Sequence, residues 1–368
     1  MALESFVVRG YRALRNLIIP TLGRVNLIVG KNGAGKTSLL EAVRIYASQG
    51  TPPVLLDILE SRDEKMMKDP GPADFGLYSE ATAFFNLFAG RPFSTEARTI
   101  EIGPAESSKL TISFEWLESG ESRQPSLFWG ETRERLVAER PVLTVKAQGD
   151  ILSRILLDTG DSLETLKRRG VLMRSESTGI PCTFVASSRL GSRELSEWWD
   201  AVALSDLESL VLSTLKIIEP GIEKISFVAR KEYPRVRVPI VRLADSADPV
   251  PLKSLGGGIS RMLETSLALV NAKNGFLLID EIENGVHYTA QSELWRMIIE
   301  ATRLLNVQVF ATTHSWDLVA AFQDALNGSG YGDGFLIRLD QMGPGEVVAT
   351  MFDPDELRIA TRERIEVR

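Results

Sequence analysis

A chain of 368 residues, 44% hydrophobic and 25% charged, can bury a full core and has no long polar tract of the kind that stays disordered. Its net charge of −7 excludes a uniformly basic coat, so any nucleic-acid contact would need a local stripe. No apolar run reaches the ~20 residues of a membrane-spanning helix, and the single cysteine, Cys182, excludes an internal disulfide and fits a reducing compartment as a small buried hydrophobe beside a strand.

The opening MALESFVVRGYR lacks the charged, apolar, small-residue order of a signal peptide, so a cytoplasmic protein is expected, with no membrane partner. SFVVRGY, LIIP and RVNLIVG read as short strands. The third runs into GKNGAGKT, Gly30 to Thr37, and then into the helical pattern TSLLEAVRIYA. Strand, glycine loop and helix in that order make a P-loop. The glycines let successive backbone N–H groups turn inward around phosphate oxygens, and the helix adds the positive end of its dipole. Lys36 then reaches the β- and γ-phosphates of ATP, and the Thr37 hydroxyl is left for Mg²⁺.

Residues 50–75 are rich in Pro and Asp and predict loop with a short helix; ATAFFNLFAG, from Ala81, recovers a helical pattern. ARTIEIG and KLTISFEW alternate as strands with one wet face. Residues 131–214 read as a mainly helical insertion, with a strand at PCTFVASS and helices around SRELSEWWDAVA and LESLVLSTLKII. Strands return from Ile222 as IEKISFVA and RVRVPIVRL. The chain then runs SLGGG, helix, FLLID, helix, VQVFATTH, helix, and a closing strand pair, GFLIRLD and GEVVATMF, without repeats or long heptads. This pattern predicts an α/β fold with a mostly parallel core sheet and antiparallel additions. The expected boundaries are 1–130 and 215–368 for the two parts of one domain, with 131–214 between them. Lys167-Arg168-Arg169 and the run Arg230, Lys231, Arg235, Arg237 are candidate basic stripes, or simply solvated faces.

Three further stretches carry chemistry. FLLIDE is a buried strand ending in two acids, placing Asp280 to hold Mg²⁺ through a water and Glu281 to polarise the attacking water. VQVFATTHS sets Thr312, Thr313 and His314 at the end of a second core strand, where His314 can hydrogen-bond the γ-phosphate or that water. His287, in ENGVHY, has no ligand spacing for a metal and reads as structural or interfacial. SLGGGISRML opens a helix with Gly256, Gly257 and Gly258, a second anion cradle in one chain. Two cradles make sense if the second closes on a nucleotide held by another copy; close packing is the alternative.

The order P-loop, long insertion, SLGGG, FLLIDEIENGVHY, ATTHS resembles the ABC-type ATPases of the RecF, SMC and OLD (overcoming lysogenization defect) group, and most of all the OLD-family ATPase domains of bacterial anti-phage systems. SSRLGSRELSEWWDAVALSDLESLVLSTLKIIEPGIEKISF is similar to their mid-region. The resemblance implies a P-loop NTPase fold of ABC/RecF type and ATP hydrolysis with Mg²⁺. It implies Gly30, Asn32, Gly33, Ala34, Gly35, Lys36, Thr37 and Ser38 as the Walker A site, Gly256 to Gly258 as signature, Asp280 and Glu281 as Walker B, and His314 as the switch histidine. It implies a head-to-tail homodimer around ATP and a separately encoded effector such as a Toprim nuclease, because residues 315–368 lack the acidic clusters of that nuclease. Leu255 stands where the LSGGQ signature has serine, with Ser254 one position earlier, and Gln49 matches a Q-loop only weakly. Other readings are a RecF-like repair ATPase that binds DNA directly and a transporter subunit, the latter disfavoured by the distance along the chain from Lys36 to Gly258.

Overall fold

Short apolar runs with β-branched residues build the first three strands, β1 (Phe6–Tyr11), β2 (Leu14–Ile19) and β3 (Val25–Gly30), and β3 is buried along its whole length, as a strand covered on both faces must be. Helices α1 (Lys36–Ala47) and α2 (Pro52–Glu60) follow, then strands β4 (Arg98–Gly103), β5 (Leu110–Glu118), β6 (Glu139–Ala147), β7 (Asp150–Leu156) and β8 (Cys182–Val185). Next come helices α3 (Ser192–Asp200) and α4 (Asp206–Ile218), strands β9 (Ile222–Ala229), β10 (Arg237–Leu243) and β11 (Val250–Pro251), and helix α5 (Gly257–Asn271). The chain ends β12 (Phe276–Ile279), α6 (Tyr288–Leu304), β13 (Gln308–Thr312), α7 (Trp316–Ser329), β14 (Gly334–Gly343), β15 (Glu346–Phe352) and α8 (Pro354–Arg362). This computed structural model describes residues 2–64, 80–90, 98–107, 109–118, 139–156, 179–188, 190–229, 236–246, 248–329, 333–343 and 345–367.

These elements form two units. The first comprises Met1–Phe6, Ile18–Leu40 and Gly179–Arg368, and the second Val7–Leu17 and Glu41–Thr178. In the first, a six-stranded sheet has the order β15-β14-β3-β13-β12-β8. All neighbours are parallel except the edge pair β14 and β15. The order brings the end of β3 beside β13, and β13 beside β12, so segments far apart in sequence share one sheet edge. A three-stranded antiparallel sheet, β11-β10-β9, belongs to the same unit. Its core includes Leu27, Val29, Leu277, Ile279, Val309 and Ala311 from the parallel strands, and the tilted ring pair of Trp295 in α6 and Phe322 in α7, with centroids 4.8 Å apart.

The second unit is built on the sheet β2-β1-β4-β5-β6-β7, antiparallel from β1 through β7. It also holds a buried charge cluster. Glu41 accepts from Tyr11 Oη at 2.8 Å and from Arg62 at 2.7 Å, and Arg12 binds Glu64 through both terminal nitrogens at 2.7 and 2.8 Å. Burial and the neighbouring Glu41 hold the Tyr11 phenol well above its usual range.

The fold is the expected α/β P-loop NTPase class with a mostly parallel core. The stretch 131–214 differs from its mainly helical expectation: besides the expected strand β8 and helices α3 and α4, its described residues supply β6 and β7. Val142, Leu143 and Val145 of β6 are buried in register with β5, a cross-strand pairing that composition does not reveal. Residues 157–178 of that stretch lie outside the described set. Helix α8 is an addition to the predicted elements. Among the described residues, no helix is long and apolar enough to cross a membrane.

Candidate nucleotide-binding site

Every candidate nucleotide-site residue below except Gln49 lies in the first unit. The loop after β3 turns through Gly33 (φ +81°) and Gly35 (φ +95°), left-handed positions that glycine adopts without steric cost, and α1 starts at Lys36. Lys36 is buried, and its Nζ donates to Gly30 O at 2.7 Å and Lys31 O at 3.1 Å. Burial pulls this ammonium below the ordinary lysine range, against the opposing pull of Asp280, Glu281 and Glu283. The cation of the loop is therefore under the influence of three carboxylates from the segment that follows β12.

Asp280 follows the buried strand β12, and Thr312 ends β13 next to it. Thr312 Oγ1 donates to Asp280 Oδ1 at 2.6 Å and accepts from the Glu281 N–H at 2.8 Å. Glu281 has φ +50°, a left-handed backbone that costs a non-glycine residue about 1–3 kcal/mol and persists where surroundings over-determine it. Asn284 Nδ2 holds Glu281 Oε2 at 2.8 Å, leaving the other carboxylate oxygen for a further partner. Glu283 Oε1 accepts from the His314 N–H at 2.7 Å, which fixes the turn after β13, while Glu283 Oε2 is buried and has no hydrogen-bond partner among the described residues. Thr313, buried, receives the Ser315 N–H on its Oγ1 at 3.0 Å.

Thr37 Oγ1 lies 3.2 Å from Asp280 Oδ2, so a hydroxyl from the P-loop helix and a carboxylate from β12 converge. Hard oxygen donors of this kind suit Mg²⁺, which keeps several waters and takes few protein ligands. Thr37 and Asp280 would hold that ion, which would supply positive charge to neutralise the phosphates.

The glycine triplet follows a short 3-10 turn, Leu252–Leu255, and α5 begins at Gly257. A Cβ on Gly258 would stand 2.7 Å from Gly285 O, so close packing requires glycine at that position. Ser254 Oγ donates to Pro251 O at 2.7 Å. His287 is exposed, 3.0 Å from Thr289 Oγ1, with its ring against Tyr288. Gln49 lies in the second unit, in the turn that closes α1. Cys182 is half-buried rather than fully buried, since β8 is the edge of its sheet. Of the basic runs, Lys167, Arg168, Arg169, Arg230, Lys231 and Arg235 lie outside the described residues, and Arg237 is paired with Asp200 at 2.7 Å.

The structure thus draws Lys36, Thr37, Asp280, Glu281 and His314 to the ends of three adjacent parallel strands, the edge at which open α/β sheets bind ligands. Sequence reasoning passed over Arg261, Glu283 and Asn284. The two acids and the amide of DEIEN were visible as a polar cluster, whereas Arg261 gave only the weak signal of a cation within an apolar helix.

Fold and site together define a P-loop ATPase. Residues 194–319, which include the glycine triplet, Asp280, Glu281 and His314, match the family described as AAA ATPase domain. Residues 5–58, which include the P-loop, match AAA domain. Over 342 residues the chain is 21% identical to an ATP/GTP phosphatase of Helicobacter pylori, covering 86% of each chain. It is 34% identical to the DNA replication and repair protein RecF of Rickettsia felis over 118 residues, which is 31% of this chain and 32% of RecF. A solved SMC head bound to the C-winged helix domain of ScpA superimposes with a TM-score of 0.49 at 12% identity, covering 97% of this chain and 99% of that one.

Proposed function

We propose that this chain is a Mg²⁺-dependent ATPase switch of the OLD-like class. Two copies close head to tail around ATP, Gly256 to Gly258 of one capping the nucleotide in the P-loop of the other, and the closed dimer sets the activity of a separately encoded effector nuclease of Toprim type in phage defence. In this reading the loop from Gly30 to Ser38 binds the phosphates, Lys36 neutralises them, and Thr37 and Asp280 hold the metal. Glu281 accepts a proton from the attacking water, and His314 senses the γ-phosphate.

The observation that carries the reading is the Glu281 carboxylate, fixed by Asn284 and by a left-handed backbone next to the Thr37 and Asp280 pair. A positioned carboxylate beside a phosphate cradle is what water activation requires. The glycine triplet at the start of α5 supports the paired arrangement. The RecF match favours a second reading, a repair ATPase that binds DNA itself.

Copurification with the product of the neighbouring gene, followed by nuclease assays with and without ATP, tests the proposal. Expected are an ATP-dependent dimer by light scattering and a nuclease whose activity follows the nucleotide. ATP-dependent, salt-sensitive DNA binding by the chain alone, with no effector retained, would support the RecF-like reading instead.

A further inference from the structure

Arg261 lies in the second turn of α5, the helix that the glycine triplet opens, and its side chain is 5% exposed. Burying a guanidinium is costly unless its donors are matched to acceptors in good geometry. Here Nη2 donates to the Asp280 carbonyl at 3.1 Å, and Nη1 to the Ala186 carbonyl at 3.0 Å and to Glu264 Oε2 at 3.3 Å, while Nε is buried with no hydrogen-bond partner among the described residues. The guanidinium therefore ties the ends of β8 and β12 to α5.

The contact with Asp280 O has a counterpart. The same peptide group, between Asp280 and Glu281, presents its N–H to Thr312 Oγ1 at 2.8 Å. One peptide plane is thus gripped at its oxygen from α5 and at its nitrogen from β13. The residue that follows is Glu281, in its left-handed backbone. Rotation of that plane would swing the Glu281 carboxylate, and the two grips oppose the rotation.

We propose that Arg261 is a positioning residue for hydrolysis: it locks the Asp280–Glu281 peptide so that the Glu281 carboxylate stays aimed, and it thereby joins the glycine-triplet helix to the general base of the same chain. This rests on Glu281 being the base. Arg261 touches neither nucleotide nor metal in this account, so its loss should lower the rate while leaving affinity for ATP intact.

A double-mutant cycle tests it, using single-turnover hydrolysis of labelled ATP, nucleotide dissociation constants and melting temperatures on the full chain. Arg261→Gln should bind ATP within threefold of the parent and hydrolyse it at least tenfold more slowly. Arg261→Lys, which keeps the charge but cannot span both carbonyls, should behave likewise and serves if the glutamine variant fails to fold. In a Glu281→Gln background either substitution should cost no further rate, because its effect passes through that carboxylate. Hydrolysis within twofold of the parent in a folded Arg261 variant, or an undiminished further loss on top of Glu281→Gln, would overturn the proposal. Normal turnover by Glu281→Gln alone would instead show that the assignment of the base has failed.

Discussion

In the proposed function Lys36 serves binding and Glu281 hydrolysis, and their substitution should separate the two. Lys36 is the buried cation of the P-loop, held over the carbonyls of Gly30 and Lys31. Lys36→Ala removes it and leaves the loop backbone in place, so tight ATP binding should be lost; unchanged affinity by calorimetry would reject the assignment. Glu281→Gln keeps the shape but removes the basicity, so binding should persist while hydrolysis falls ~10² to 10⁴-fold. A normal rate would show that another group takes the proton, and Glu283, whose buried Oε2 has no partner among the described residues, would be the first to examine. The residues that were legible in the sequence are those whose role follows from neighbours in the chain: Gly30 to Thr37 form one loop, and Asp280 and Glu281 end one strand. Arg261 was not legible because its acceptors, Ala186 and Asp280, become neighbours only through the pairing of β8 with β12.

At the scale of elements, strands β3, β12 and β13 were readable because burial on both faces leaves continuous apolar runs. Helix α8 escaped although its start is strongly marked. Asp353 accepts the Glu356 N–H at 2.8 Å, Glu356 accepts the Asp353 N–H at 3.1 Å, and Pro354 occupies the first helical position. That is a capping box in the sequence DPDE, outweighed in reading by the strand pair before it and by a helix with few apolar residues. Asp353→Ala should weaken α8 by about 0.5–2 kcal/mol. Hydrogen exchange should then quicken at Leu357 and Ala360, with the protection of β12 and β13 unchanged; unaltered exchange in α8 would show that packing alone holds the helix. The strands β6 and β7 were missed for a different reason. β6 pairs with β5 and β7 with β6, so their register is a property of three segments together, and no single window contains it.

For the whole molecule, the chain alternates between its two units, and the ATPase matches fall at 5–58 and 194–319, on either side of the segment that supplies most of the second unit. The first unit carries the P-loop, Asp280, Glu281, His314 and the glycine triplet. In the proposed function a working site needs two copies: the P-loop of one and the triplet of the other. Gly257→Glu would place a side chain and a negative charge where phosphate must approach a backbone N–H. That variant should bind ATP nearly normally through its own P-loop yet fail to dimerise around it or hydrolyse it, and Lys36→Ala should be inactive for want of nucleotide. The most direct measurement is ATPase activity after mixing the two inactive variants, with subunit exchange verified. A mixed dimer contains one composite site with both lesions and one with neither, so partial activity should return; confirmed exchange with no activity would contradict the account and leave the triplet a matter of packing.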